Sequence, residues 1–222
     1  MGQPRDNRPD RLKPGPLTVD EYLAWEENSP RRHEYVRGRV YAMSGTKARH
    51  NAIVNNIHRH IWPVRGGCAI YTIDLKVRPA EDRFYYPDCV VVCSPHDLDT
   101  LIFDDPCLVV EVTSRSTRRI DRGEKLDAYL AMPSLRGYLI VESDRRHATL
   151  YTREEAGWAR DEIVGSGDVN LPCIGSALSL DNIYEGADPP MRVREGDEDD
   201  DADDDWLGED DEPAEEDVLL GE

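Results

Sequence analysis

Two short apolar runs, residues 89–93 and 107–112, each have an acid where a buried strand has little use for one. Asp88 opens the first run and Glu111 nearly closes the second. Both runs are rich in Val and Cys and too short to cross a membrane, so each reads as a strand covered on both faces. In an antiparallel pair, Asp88 and Glu111 stand opposite each other when the turn centre falls between residues 99 and 100. The polar segment 94–106 that joins the runs is centred on residue 100, which predicts that register. Like charges facing each other across a sheet are destabilising, and lone buried carboxylates are costly. A divalent cation shared by Asp88 and Glu111 would remove both penalties.

The length, 222 residues, allows one ample core and is too short for two unless both are small. No apolar stretch reaches membrane-spanning length, and the N-terminus lacks the hydrophobic centre of a secretory signal. The five cysteines (68, 89, 93, 107 and 173) are odd in number and scattered, with none of the short paired spacings of a zinc site or disulfide framework. They predict reduced, buried thiols in a cytoplasmic protein. The net charge of −19 belongs mostly to the C-terminus: residues 195–222 hold 17 acids and no Lys or Arg. That leaves 29 acids against 27 bases, a net of −2, in residues 1–194. A near-neutral body is compatible with a nucleic-acid partner, whereas a strongly acidic one would argue against it.

Residues 1–16, polar and with four prolines, read as a flexible arm. Thr18-Val-Asp-Glu21 is a capping box and predicts a helix over 19–27. Residues 34–43 predict two short strands around a tight turn at Arg37-Gly38. A helix over 47–62 follows, capped by Ser44 or Thr46, with Ile53, Ile57 and Ile61 on its buried side and His50 one turn before them. Residues 68–78 read as one strand, with Ile73, Leu75 and Val77 on one face. After the hairpin, Ser114, Ser116 and Thr117 offer caps for a helix over 118–132. Ile120, Leu126, Tyr129 and Leu130 form its apolar stripe, and Arg118, Arg122 and Lys125 share its border. Residues 137–142, 147–152 and 158–164 predict a three-stranded meander, 169–184 short irregular elements, and 186–222 a disordered acidic tail.

The order from 47 to 142 is helix, three strands, helix, strand, with Pro87-Asp88 opening the second strand and Glu111 on the third. This resembles the PD-(D/E)XK nuclease superfamily. The segments Glu34-Tyr-Val-Arg-Gly-Arg-Val-Tyr41, His50, Tyr86-Pro-Asp-Cys-Val-Val-Val92 and the run from Leu108 to Tyr129 resemble its Uma branch of bacterial restriction endonucleases. The likeness covers about residues 17–185. It implies an α/β domain over that range with a restriction-endonuclease-like mixed central sheet flanked by helices. It also implies a Mg²⁺-dependent (or Mn²⁺-dependent) endonuclease that hydrolyses DNA phosphodiester bonds. Asp88, Glu111 and the Val112 carbonyl would bind the metal, and Glu34 would act from the outer shell. The superfamily places a lysine two residues after the strand acid, where this chain has Thr113. The Uma resemblance moves the basic role to Lys125.

Each assignment has a plainer rival. Asp88 could cap a turn after Pro87, and Glu111 could pair with Lys125 or an arginine. Lys125 could pair with Asp121 at i, i+4. Glu34 could pair with Arg37 or Arg39. His50 could be a packed or capping histidine instead of a substrate contact. Arg118 and Arg122 could be a solvated face, although beside a metal they suit a phosphate backbone. The alternative at the level of the whole chain is a catalytically inactive nuclease-fold module that binds DNA or a protein partner. Double-strand cleavage would suit a homodimer. The acidic tail reads as a solubilising end, a partner-binding segment anchored by Trp206-Leu207 and Val218-Leu-Leu220, or a polyanion that occupies the DNA-binding face of its own chain.

Overall fold

The computed structural model describes residues 16–190 apart from 44, 73, 115 and 116. The flexible arm and the bulk of the acidic tail read from the sequence therefore lie outside the described residues, as do Ser44, Ile73 and Ser116. Packed structure continues slightly past residue 185: Ala187 is buried and Asp188 pairs with Arg146 at 2.8 Å.

The elements run α1 (Val19–Glu27), β1 (His33–Val36), β2 (Arg39–Ala42), α2 (Ala48–Ile61), β3 (Ala69–Thr72), β4 (Lys76–Ala80), β5 (Arg83–Tyr85), β6 (Cys89–Val92) and β7 (Ile102–Phe103). They continue with β8 (Leu108–Thr113), α3 (Arg118–Asp121), α4 (Glu124–Leu130), β9 (Gly137–Glu142), β10 (His147–Glu154), β11 (Gly157–Val164), β12 (Asp168–Leu171), β13 (Ser176–Ser179) and α5 (Leu180–Ile183).

The capping box forms as the sequence predicts: the Glu21 N–H donates to Thr18 Oγ1, and the Thr18 N–H donates to Glu21 Oε2. β1 and β2 pair across Arg37 (φ 48°) and Gly38 (φ 91°), the two positive φ values of a type I′ turn. Of the two sequence-predicted caps for α2, Ser44 lies outside the described residues and Thr46 is not the N-cap. The N-cap is Lys47, which makes no side-chain cap bond. Ile53, Ile57 and Ile61 are buried as expected.

The central sheet has six strands in the order β11-β10-β9-β8-β6-β3 and is mixed, because β8 and β9 run parallel. One face carries Val91, Val110, Leu139 and Val141, packed with Ile53 and Ile57 of α2 and with α5. The other face carries Val90, Val109 and Ile140, packed with Ala128 and Tyr129 of α4. This is the mixed central sheet flanked by helices. A second mixed sheet, β2-β1-β5-β4-β7, stands beside it and was not foreseen, because β5 has three residues and β7 only two.

Three expectations need correction. The single strand over 68–78 is broken: Asp74 adopts φ 63°, and β3 and β4 join different sheets. The single helix over 118–132 is split into α3 and α4 at Gly123, and Ile120 is left 43% exposed, off the apolar stripe. The reduced-thiol reading is overturned for four cysteines, since Cys68 bonds Cys93 and Cys107 bonds Cys173. Residues 25 and 66 positions apart give no local signal. Cys68 and Cys93 meet because the β3–β6 register, Ala69 opposite Val92, continues one step. Cys89 alone is a free, buried thiol. The thiol-based support for a cytoplasmic location is thereby lost. No described helix is long and apolar enough to cross a membrane.

Candidate functional site

The β6–β8 register is the one that loop arithmetic predicts. Cys89 stands opposite Val110, Val90 opposite Val109 and Val91 opposite Leu108, so the next rung outward sets 88 against 111. Alternation along β8 puts Glu111 on the Val109 face, the face that α4 covers. The two acids open onto a cleft of about 610 Å³ whose lining includes Glu34, His50, Asp88, Glu111, Asp121 and Lys125.

Asp88 is held from two sides. The Val112 N–H donates to its Oδ2 at 2.7 Å, and His50 Nε2 lies 3.2 Å from the same oxygen. His50 reaches it from the first turn of α2. Burial alone would depress the imidazole, but the hydrogen bond and charge of Asp88, with a hydrogen bond to the Val112 backbone, outweigh it and raise the pKa. His50 is thus a packed, 15% exposed ring whose polar partner is Asp88.

Glu111 and Lys125 form the buried half of the site. Lys125 Nζ lies 2.8 Å from Glu34 Oε1, 3.1 Å from Glu111 Oε1 and 3.4 Å from Asp121 Oδ1, with its side chain 8% exposed. Tyr129 donates to Glu111 Oε1 at 3.4 Å, and the Tyr85 ring lies 5.6 Å from the ammonium. Burial dominates at Glu111 and pushes its carboxyl well above the ordinary range. Lys125 opposes that shift, while Asp121, Asp88 and Glu34 add to it. Burial works the other way on Lys125, but Glu111, Glu34 and Asp121 together raise it well above its ordinary value. Thr113, which stands where a lysine would be expected, is buried and bonded locally to the Ser114 carbonyl and Thr117 Oγ1. The amine beside the strand acid therefore comes from α4.

The plainer pairings of Lys125 with Asp121 and with Glu111 are both present, as parts of one cluster. Glu34 pairs with neither Arg37 nor Arg39. Besides Lys125, it accepts the Tyr86 N–H at 3.4 Å. Asp121 had been read only as a partner for Lys125, but it is 3% exposed, lines the cleft and lies 3.4 Å from the ammonium, so it is a full member of the site. The signal that could have found it is its position one helical turn before Lys125. Among the described residues, no three or more His, Cys, Asp or Glu side chains converge as a ready metal cage.

Arg118 and Arg122 are not a free basic face. Arg118 Nη2 donates to Glu142 Oε2 at 2.8 Å and to Asp144 Oδ1 at 2.9 Å, while Arg122 Nη2 donates to Glu142 Oε1 at 2.9 Å and to Thr149 at 3.2 Å. Arg145 and His147 also bond Glu142, whose side chain is 0% exposed. Burial would raise the Glu142 carboxyl. The Arg145 and His147 hydrogen bonds, with the charges of Arg118 and Arg145, overcome this and hold it at about 2. Sequence spacing could place the two arginines on one side of a helix, but not foresee the buried acid beneath them.

The family model described as "Uma2: Putative restriction endonuclease" matches residues 19–181. Two uncharacterised proteins of Synechocystis sp. are similar. One, slr1290, is 37% identical over 177 residues, covering 77% of this chain and 92% of its own. The other, sll1609, is 28% identical over 157 residues, covering 67% and 88%. The crystal structure of a "putative nuclease belonging to DUF820" from Anabaena variabilis superposes with a TM-score of 0.61 at 19% identity, covering 78% of this chain and 99% of that one. At that identity the likeness concerns the fold. With its family model spanning both strand acids and the α4 lysine, the chain belongs to the Uma2 family.

Proposed function

We propose that the protein is a metal-dependent endonuclease that hydrolyses DNA phosphodiester bonds. The observation that carries this reading is the meeting of Asp88, Glu111 and Lys125 in one cleft, with carboxylates in excess of cations. Its lining carries five acids (Glu34, Asp88, Glu111, Asp121 and Asp144) against Lys47, Arg49, Lys125 and His50. Burial and like charge hold Glu111 in a state that a divalent cation would relieve. The donor set fits Mg²⁺, which takes hard oxygens and needs only one or two carboxylates beside waters and phosphate. Asp88 and Glu111 would hold it, with the Val112 carbonyl completing the protein's share. Once bound, the ion supplies positive charge to a phosphate oxygen and makes a water more acidic.

The chain's own residues do the rest. Lys125, fixed by three carboxylates, presents a positive charge beside Glu111 where negative charge develops on the phosphoryl group. Glu34 holds that ammonium in place and keeps β1 against the Pro87-Asp88 turn through Tyr86. Lys47 and Arg49 line the cleft and suit the phosphate backbone better than Arg118 and Arg122, which are committed to Glu142. The test is nicking of supercoiled plasmid with Mg²⁺ or Mn²⁺ by the wild type, Asp88→Ala and Glu111→Ala. Nicking by the wild type that both substitutions abolish is expected. Nicking that survives both would assign it to a contaminant.

One observation favours a second reading, a catalytically inactive module that binds DNA or a protein. His50 already pairs with Asp88 and Lys125 with Glu111, so each acid has a partner without a metal. DNA binding without metal-dependent nicking would select that reading.

A further inference from the structure

Outside the cleft, α1 and β1 build a buried polar knot that the chemistry above does not use. Glu26 is 0% exposed and His33 1%. Glu26 Oε1 accepts the His33 N–H at 2.9 Å and the Tyr86 hydroxyl at 2.8 Å, and Oε2 lies 3.0 Å from His33 Nδ1. One turn earlier on α1, Tyr22 donates to the His33 carbonyl at 2.7 Å. A buried carboxylate is tolerated only when its lone pairs are satisfied, and here three donors from two separate segments satisfy it. Those segments are the ones that deliver site residues: His33 directly precedes Glu34, and Tyr86 lies two residues before Asp88. The same two segments meet again where the Tyr86 N–H donates to Glu34 Oε1.

We propose that Glu26 is a positioning residue for the metal site: by holding the His33 backbone and the Tyr86 hydroxyl together, it fixes Glu34 and the Pro87-Asp88 turn relative to each other. The inference rests on the nuclease reading through Asp88 as a metal ligand. Groups that orient ligands from behind typically change metal affinity about 10–100-fold when removed. Glutamine at position 26 keeps an oxygen for the His33 N–H and the Tyr86 hydroxyl, and its amide can meet His33 Nδ1 as an acceptor in the other ring tautomer. Glu26→Gln should therefore rescue most of what Glu26→Ala loses.

The experiment is Mn²⁺ binding to the full chain, followed by electron paramagnetic resonance and calorimetry below the unfolding range of each variant, with thermal unfolding in parallel. Wild type, Asp88→Ala, Glu26→Ala, Glu26→Gln and Tyr86→Phe are compared. The expected pattern is loss of binding in Asp88→Ala, at least a tenfold weaker site in Glu26→Ala, and near-native affinity in Glu26→Gln. Tyr86→Phe removes only the hydroxyl arm, so it should weaken binding several-fold and serves as the deciding variant if Glu26→Ala fails to fold. If Asp88→Ala loses the metal while the folded Glu26→Ala and Tyr86→Phe proteins bind it normally, the positioning role is refuted and the nuclease reading survives. If Asp88→Ala binds as the wild type does, the ligand assignment fails and takes this inference with it.

Discussion

Glu142→Gln removes one charge from beneath three arginines without changing the shape of the side chain. Glu142 is fully buried at the end of β9, and its carboxyl is held at about 2 against an ordinary value of 4.5. That gap corresponds to about 3 kcal/mol. Breaking a buried pair by deleting one partner costs about 3–5 kcal/mol, which sets the same scale. The sign follows from a depressed carboxyl: its contribution is complete above 4.5, declines as pH falls below that value, and is gone below about 2. Urea unfolding of the wild type and the variant should therefore differ by about 3 kcal/mol at pH 7 and pH 5, and by about 2 kcal/mol at pH 3.5. A difference under 1 kcal/mol at pH 7, or one that stays constant as pH falls, would refute the reasoning.

Four further outcomes are expected. Thiol titration of the unreduced protein should find one reactive cysteine after denaturation, Cys89, and none in the native state, because Cys89 is 1% exposed and the other four are paired. Reduction should lower stability by about 3–4 kcal/mol per bridge on the loop-entropy scale, read from urea curves with and without a reductant. Lys125→Met leaves Glu34, Glu111 and Asp121 crowded without their cation. It should abolish plasmid nicking while Mn²⁺ binding persists, and loss of binding instead would make Lys125 part of the ion's support. Gly38→Ala forces a side chain into φ 91° and brings a Cβ within 3.0 Å of the Pro16 Cβ, so a loss of about 1–2 kcal/mol is expected in thermal unfolding.

What could be read from the chain divides along the range of the interactions involved. The Asp88–Glu111 register was legible because an antiparallel hairpin fixes opposite residues by their distance from the turn, and the 94–106 loop has a definite centre. The capping box and the Arg37-Gly38 turn were legible because each is completed within four residues. The amine from α4 became legible through the family resemblance, not from spacing, since Thr113 leaves the strand itself without one. The kink at Asp74 and the split at Gly123 were not, because alternation and helical spacing carry on through both in the sequence. Also hidden were contacts that depend on where distant strands come to rest: Glu142 beneath Arg118 and Arg122, Glu26 joining His33 to Tyr86, and Cys107 meeting Cys173.

The two disulfides share an end of the central sheet. Cys93 follows β6 and Cys107 precedes β8, so both lie at the opposite pole from Asp88 and Glu111. Covalent fastening is thus confined to one rim, while the rim that opens onto the cleft is closed by salt links and hydrogen bonds alone. Reduction should therefore free the far ends of β3, β6 and β8 and leave the contacts around Asp88 and Glu111 in place.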